Sequence, residues 1–385
     1  MKKLILILFG FISIASFSQV SSPDSLSIGG TTYIDSVFIR NDSLLFRIER
    51  TAREYGIARY TTGGGEPPAA PPSGHYVSSS LGDDVTGNGS QEFPWETLAY
   101  AHSQATSPGD SILLMRGDVF PSTSVLNITN GGSSGNPIVW NGSAWGSGLD
   151  AIIQKSQYVA SAVRIVACDY VIFENITIDG QNYNGSGIIV GGYQAVYGAP
   201  QQANEDSIIL QDCKVMDIGT DGWQVGIGVI AVVDTQSYII VRRDSVDGST
   251  NHGIAYYPHR VSIGGTAGAG TVYSYIGYNV ITNCGQLLNG VASGIMITQN
   301  QDSAICEHNV ISSSSSAFPG IAMGHDQADP TAIPKDCIVR YNDVRMTGNP
   351  AFQIQLGGDI DIDIYYNIFS SVGQSNGRTV YIQSA

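Results

Sequence analysis

Positive charge is scarce in this sequence. Lysine and arginine number 18 against 33 aspartates and glutamates, a formal net charge of −15. Such a chain has no overall attraction for a phosphate backbone or an anionic membrane surface, so no nucleic-acid partner is expected. Charged residues make up only 13% and hydrophobic ones 42%, which excludes an intrinsically disordered chain. The apolar run Leu4 to Ala15 is too short to cross a bilayer, so no membrane span is expected. The five cysteines, Cys168, Cys213, Cys284, Cys306 and Cys337, are odd in number and widely spaced. They offer neither a disulfide framework nor the tight spacing of a metal site, and read as small buried hydrophobes. A Walker loop, a dinucleotide fingerprint and an HExxH motif are all missing.

What is present is turn and strand chemistry. The chain has 46 glycines and 20 tyrosines, with frequent Ile, Val, Ser, Thr and Asn, which points to short strands and many turns, hence an all-β protein. Residues 1–18 have the layout of a secretory signal: Lys2 and Lys3, the apolar run, then Ser16 and Ser18 before a cut at Gln19. That address implies a secreted, periplasmic or extracellular protein. Residues 19–61 carry two strand-like runs, Tyr33 to Arg40 and Leu44 to Glu49, joined by Asn41-Asp42-Ser43 as a hairpin turn. Residues 62–74 form a Gly/Pro-rich linker, and residues 75–385 read as one long domain.

That domain repeats. Seven strand-like runs end on an apolar anchor: Ile178, Val215, Val246, Ile281, Ile311, Val344 and Phe369, at spacings of 37, 31, 35, 30, 33 and 25. Five residues before the anchors stand Phe173, Leu210, Val241, Ile276, Cys306, Val339 and Ile364, all apolar. Four before stand Glu174, Gln211, Arg242, Gly277, Glu307, Arg340 and Tyr365, mostly polar. This is strand alternation at equivalent places in successive units. A second strand follows, as in Gly253-Ile254-Ala255-Tyr256, Gly294-Ile295-Met296-Ile297 and Gly320-Ile321-Ala322-Met323. Gln353-Ile354-Gln355-Leu356 continues the series, giving an inward column of Tyr256, Ile297, Met323, Leu356 and Ile382. Like recurs with like about thirty residues on, so each turn of a coil stacks in parallel on the last. Two before the anchors runs a ladder, Asp244, Asn279, Asn309, Asn342 and Asn367, whose side chains can bond along the coil.

On these repeats the sequence resembles the right-handed parallel β-helix superfamily, which includes pectate-lyase-like secreted bacterial proteins, other polysaccharide lyases and phage tailspikes. Its opening residues, Gly82-Asp83-Asp84, Gly87-Asn88-Gly89-Ser90, Pro94-Trp95-Glu96-Thr97-Leu98 and Gly109-Asp110-Ser111-Ile112, look like the first segment of such bacterial proteins. The resemblance implies a β-helix of about nine or ten turns and a carbohydrate ligand. Glu96 to Ala105 reads as a short helix capping the N-terminal end of the coil. At the other end the chain stops in or just after a strand, which implies a missing segment or a partner chain covering that edge.

Sites in β-helices are usually built from loops at one corner. Here Gly191 to Asp206, Pro258 to Val272 and Gly324 to Lys335 follow the second strand and are expected to project on the same side. Five residues past Ile254, Ile295, Ile321 and Ile354 stand His259, Asn300, Asp326 and Asp359, flanked by Arg260, His325 and Asp329. A uronate lyase must neutralise the substrate carboxylate, remove a proton and protonate the leaving oxygen. Arg260 suits the first role, His259 or His325 the second and Tyr257 the third. Asp326, Asp329 and Asp359 have the oxygen donors of a Ca²⁺ site. Tyr193, Tyr197 and Asn300 are the expected sugar contacts. The runner-up readings are a non-catalytic carbohydrate-binding or adhesive stalk, and an inverting hydrolase using Asp326 and Asp359 on adjacent turns. Asn251-His252-Gly253 faintly resembles the Gly-His-Gly of polygalacturonases, whose other motifs are missing. Arg116-Gly117-Asp118 spells an adhesion tripeptide but reads as a turn.

Overall fold

A computed structural model shows why the repeats stack. It describes residues 74–385 except 193–204, 220–223, 232–235, 259–270, 286–291, 299–300, 314–318, 325–333, 348–349, 357–360, 373–378 and 385. Before residue 74 it describes four strands only. The chain divides into two compact units, Met1–Ala70 and Pro71–Ala385. In the first, Leu26–Ile28 pairs antiparallel with Thr31–Tyr33, and Ser36–Arg40 with Ser43–Arg47. The expected hairpin is there, with Ser43 opposite Arg40, but Tyr33 belongs to a separate, earlier hairpin.

The second unit is a right-handed parallel β-helix of nine turns. Three parallel sheets run its length. Sheet A has ten strands, from His75–Val77 to Ile362–Tyr365; sheet B has nine, from Val119–Ser122 to Ile368–Val372; sheet C has nine, from Leu126–Ile128 to Val380–Ser384. The anchors form one continuous register, Ile178 opposite Val215, then Val246, Ile281, Ile311, Val344 and Phe369, all in sheet B. The column five residues earlier is equally continuous in sheet A, from Phe173 to Ile364. Alternate side chains therefore fall on the same inner wall, coil after coil about 4.8 Å apart, and make one core cluster from Val77 to Ile354.

Helix α1 (Leu98–Gln104) packs Leu98 and Ala101 onto the N-terminal end of that core. Thr97 caps it, its hydroxyl accepting from the Tyr100 N–H at 3.2 Å. All five cysteines are free and buried, and burial pushes the thiols of Cys168, Cys284 and Cys337 up to about 12, so they act as packing groups.

The ladder forms at the sharp bend between sheets A and B. The N–H of Asp244 donates to Asn279 Oδ1 at 2.9 Å, that of Asn279 to Asn309, that of Asn309 to Asn342 and that of Asn342 to Asn367. Each asparagine also gives its Nδ2 to a backbone carbonyl in the coil before, as Asn279 does to Val241 at 3.1 Å. One inward column differs from expectation. Phe352 pairs with Ile321 and Ile354 with Met323, so Ile354, not Leu356, continues the Tyr256, Ile297, Met323 column.

Candidate functional site

The long insertions share an edge because sheet C keeps its register. Gly191 lies opposite Ile230, Ala231 opposite Pro258, and Thr298 opposite Gly324, so the chain leaves the sheet at the same side in each coil. It returns through a small parallel sheet, Gln236–Ser237, Thr271–Val272 and Gln301–Asp302, before entering sheet A. The residues expected to do chemistry fall between these two points. Tyr193, Tyr197, His259, Arg260, Asn300, His325, Asp326, Asp329 and Asp359 lie outside the described residues. Tyr257 belongs to the strand His252–Pro258, in register with Ile230, and its side chain is outside the described set.

The two-residue register correction changes one expectation. The residue five past Phe352, the true partner of Ile321, is Gly357, so the sequence alignment that set Asp359 level with Asp326 is shifted by two at the strand; the two aspartates themselves lie outside the described residues.

The described residues build this corner in two layers. The inner layer is a buried polar column, Glu205, Gln236, Thr271 and Gln301. Gln236 Nε2 donates to Glu205 Oε2 and to the Ile230 carbonyl, the Thr271 hydroxyl donates to Gln301, and the Ala167 N–H donates to Glu205 Oε1 at 3.0 Å. Burial pushes the Glu205 carboxyl up to about 7 against the opposing pull of those hydrogen bonds.

The outer layer is a row of left-handed residues, Tyr170, Ser207, Tyr238, Tyr273, Ser303 and Asp336, with φ of 54°, 58°, 54°, 54°, 57° and 49°. The first five each donate their N–H to the residue just before the next member, so the row is continuous by hydrogen bonding, not only by alignment. The rings of Tyr238 and Tyr273 stack at 5.3 Å and 19°, and are 46% and 47% exposed. Polar groups flank them: Ser237 Oγ donates to Asp206 at 2.6 Å and Ser303 Oγ to Asp302 at 2.8 Å.

Other candidate chemistry resolves into structure. His252 is buried on sheet C with its Nδ1 3.0 Å from Ser293 Oγ, and burial pushes its imidazole down to about 3, so it is neutral. Lys155 is buried too, its Nζ donating to the carbonyls of Tyr183, Asn184 and Gly185 at 3.3, 2.6 and 3.0 Å; it ties that turn. On sheet A the polar column binds itself, Arg340 Nε to Glu307 at 2.6 Å and the Tyr275 hydroxyl to Glu307 at 2.9 Å. Asp118 of the tripeptide accepts from the hydroxyls of Ser78 and Ser80 at 2.6 and 2.7 Å, and Gly117 has φ +84°, as a structural turn requires. Among the described residues no three His, Cys, Asp or Glu side chains gather as a metal site.

Sequence reasoning missed Glu205, Tyr238 and Tyr273. The tyrosines had a readable signal: both stand eight residues before an anchor, Val246 and Ile281, as Tyr170 does before Ile178. Glu205 had none, since its partner Gln236 stands one coil later in the chain.

No family model and no curated protein matches the chain. Solved structures match its fold, a parallel β-helix. The pectate lyase Pel9A is similar over 81% of this chain and 76% of its own, with a TM-score of 0.50 and 16% identity. A lacto-N-biosidase from Eubacterium ramulus is similar at TM-score 0.48 and 16% identity over 81% of this chain, which spans 66% of that protein. An alginate lyase from Paenibacillus sp. str. FPU-7 is similar at TM-score 0.45 and 14% identity, over 80% of this chain and 99% of its own.

Proposed function

We propose that this protein acts on an extracellular, uronate-containing polysaccharide by β-elimination at the corner between sheets C and A. The observation that carries the reading is the shared edge: the insertions bearing His259, Arg260, His325, Asp326 and Asp329 leave sheet C in one register. A fold in common with a pectate lyase supports the substrate class.

In this mechanism Arg260 neutralises the uronate carboxylate, which acidifies the adjacent C5 proton. His259 or His325 takes that proton as the C4–O bond breaks and a C4–C5 double bond forms. Tyr257 returns a proton to the leaving oxygen. Asp326, Asp329 and Asp359 would supply the hard oxygen donors that Ca²⁺ takes, and a bound cation would add charge against the carboxylate. The leader read in the sequence at residues 1–18 supports export to where such a substrate is met.

The test is a screen against alginate, pectate, chondroitin and neutral glycans, with and without Ca²⁺. Ultraviolet-absorbing unsaturated products are expected. New reducing ends without that absorbance would identify a hydrolase, and tight binding with neither would identify an adhesive stalk. His259→Ala, Arg260→Ala and Asp326→Ala should each lower kcat/KM about 100-fold or more; undiminished turnover in all three would discard this site.

A further inference from the structure

We propose that Tyr238 and Tyr273 form a sugar-stacking platform that takes one pyranose ring on each outer face of the pair. The proposal rests on the polysaccharide reading above and extends it to two binding positions that the loop residues do not include.

The coil carries two rows of left-handed residues. At the bend between sheets A and B the row reads Tyr278, His308, Tyr341 and Tyr366, with rings stacked at 4.6, 4.9 and 5.3 Å and within 13° of parallel. Each ring there covers its neighbour's face, so the row offers edges but few faces. At the corner between sheets C and A the row is interrupted. Tyr238 and Tyr273 cover each other, but the next member on either side is a serine, Ser207 before and Ser303 after. A serine side chain is too short to cover an aromatic face.

Among the described residues, each outer face therefore looks along the coil axis into a slot that a side chain occupies in the other row. The slot over Ser303 ends at Asp336 and the slot over Ser207 ends at Tyr170, each two coils, or roughly 9.6 Å, from the nearer tyrosine. One ring fits such a space. A pyranose presents an apolar C–H face, which suits an aromatic face, and a rim of hydroxyls, which needs polar partners. Both slots have that rim: Asp206, Ser207 and Ser237 on one side, and Asp302, Ser303 and the exposed Lys335 on the other. Lys335 adds a cation beside the Ser303 slot, which fits a uronate carboxylate there. The platform also stands at the return point of the insertions, so a chain crossing the corner passes both.

The same row supplies the decisive variant. Tyrosine is accepted in this left-handed conformation at Tyr170, Tyr238 and Tyr273, and at Tyr278, Tyr341 and Tyr366 in the other row. Ser303→Tyr and Ser207→Tyr should therefore fold, lengthen the stack and fill the slots with the protein's own rings. Electrophoresis of the full chain through gels containing alginate, pectate, chondroitin or a neutral glycan reads the outcome. The unaltered protein should be retarded by at least one of them. Each filling variant should bind that glycan about three- to tenfold more weakly, and the double variant more weakly still, with unchanged thermal midpoints. Should a filling variant fail to fold, Tyr273→Ser must lose the same factor while Tyr273→Phe, which keeps the face, must retain binding. Retardation of the filled variants equal to that of the unaltered protein overturns the platform and leaves the polysaccharide reading standing. An unaltered protein that no gel retards overturns the reading, and the platform with it.

Discussion

Asp244 occupies a position where the four following coils place asparagine. Its Oδ1 accepts from the Cys213 N–H at 2.7 Å, but its buried Oδ2 has no partner, where an asparagine would hold an NH₂ group. Burial pushes its carboxyl from an ordinary 3.8 up to about 8, so the folded protein keeps a proton there at neutral pH. The sign follows from which state binds the proton. Between pH 3.8 and 8 the unfolded chain releases a proton that the folded one retains, so this group costs more stability as pH rises through that window. Asp244→Asn should restore the ladder and stabilise the fold by roughly 1–3 kcal/mol at pH 7, with the gain shrinking toward pH 4. Thermal or urea unfolding across that range checks it; a gain that does not change with pH would contradict the protonated ladder. The ladder itself was legible because Asp244, Asn279, Asn309, Asn342 and Asn367 keep one offset from the anchors. Glu205 was not, because a carboxyl whose partner stands thirty-one residues away leaves no local pattern.

At the scale of the element, a glycine column explains how sheet B hands over to sheet C. A Cβ on Gly253 would stand 2.6 Å from Ile281 Cγ2 and 2.7 Å from the Gly294 carbonyl. The same clash arises between Gly294 and Ile311 Cγ2 at 2.6 Å, and between Gly320 and Val344 Cγ1 at 2.2 Å. Glycine thus lets these β-branched anchors pack close at the corner, while the same column holds alanine at Ala162 and Ala351. Gly253→Val should destabilise the coil by about 1–3 kcal/mol or more, read as a lower thermal midpoint; an unchanged midpoint would show that the corner relaxes freely. This column also explains the misplaced strand. Glycine followed by isoleucine marked the start of three strands, and Ala351-Phe352 breaks that signature, so Ile354 took the place of Phe352 and the register slipped by two.

For the whole molecule, what could be read and what could not divide along the repeat. The coil was legible because each inward residue has a partner of its own kind one turn later, and the register from Ile178 to Phe369 bears that out through six successive pairings. The insertions have no such partner. His259, Arg260 and Asp326 could be placed at a shared edge but not in a constellation, because loop geometry depends on contacts that no periodicity records. The tyrosine platform falls between these cases, with positions set by the coil and a meaning that lies in the serines interrupting its row.

A polysaccharide engaged at the corner between sheets C and A must slow amide exchange in the backbone there. Amide hydrogen exchange, with and without the polysaccharide that retards the protein, tests it most directly. Protection is expected in peptides spanning 236–238, 271–273 and 301–303, with none at 278–280 and 308–310 on the opposite bend. Protection centred on that opposite bend, or unchanged exchange at the corner under saturating glycan, would contradict it.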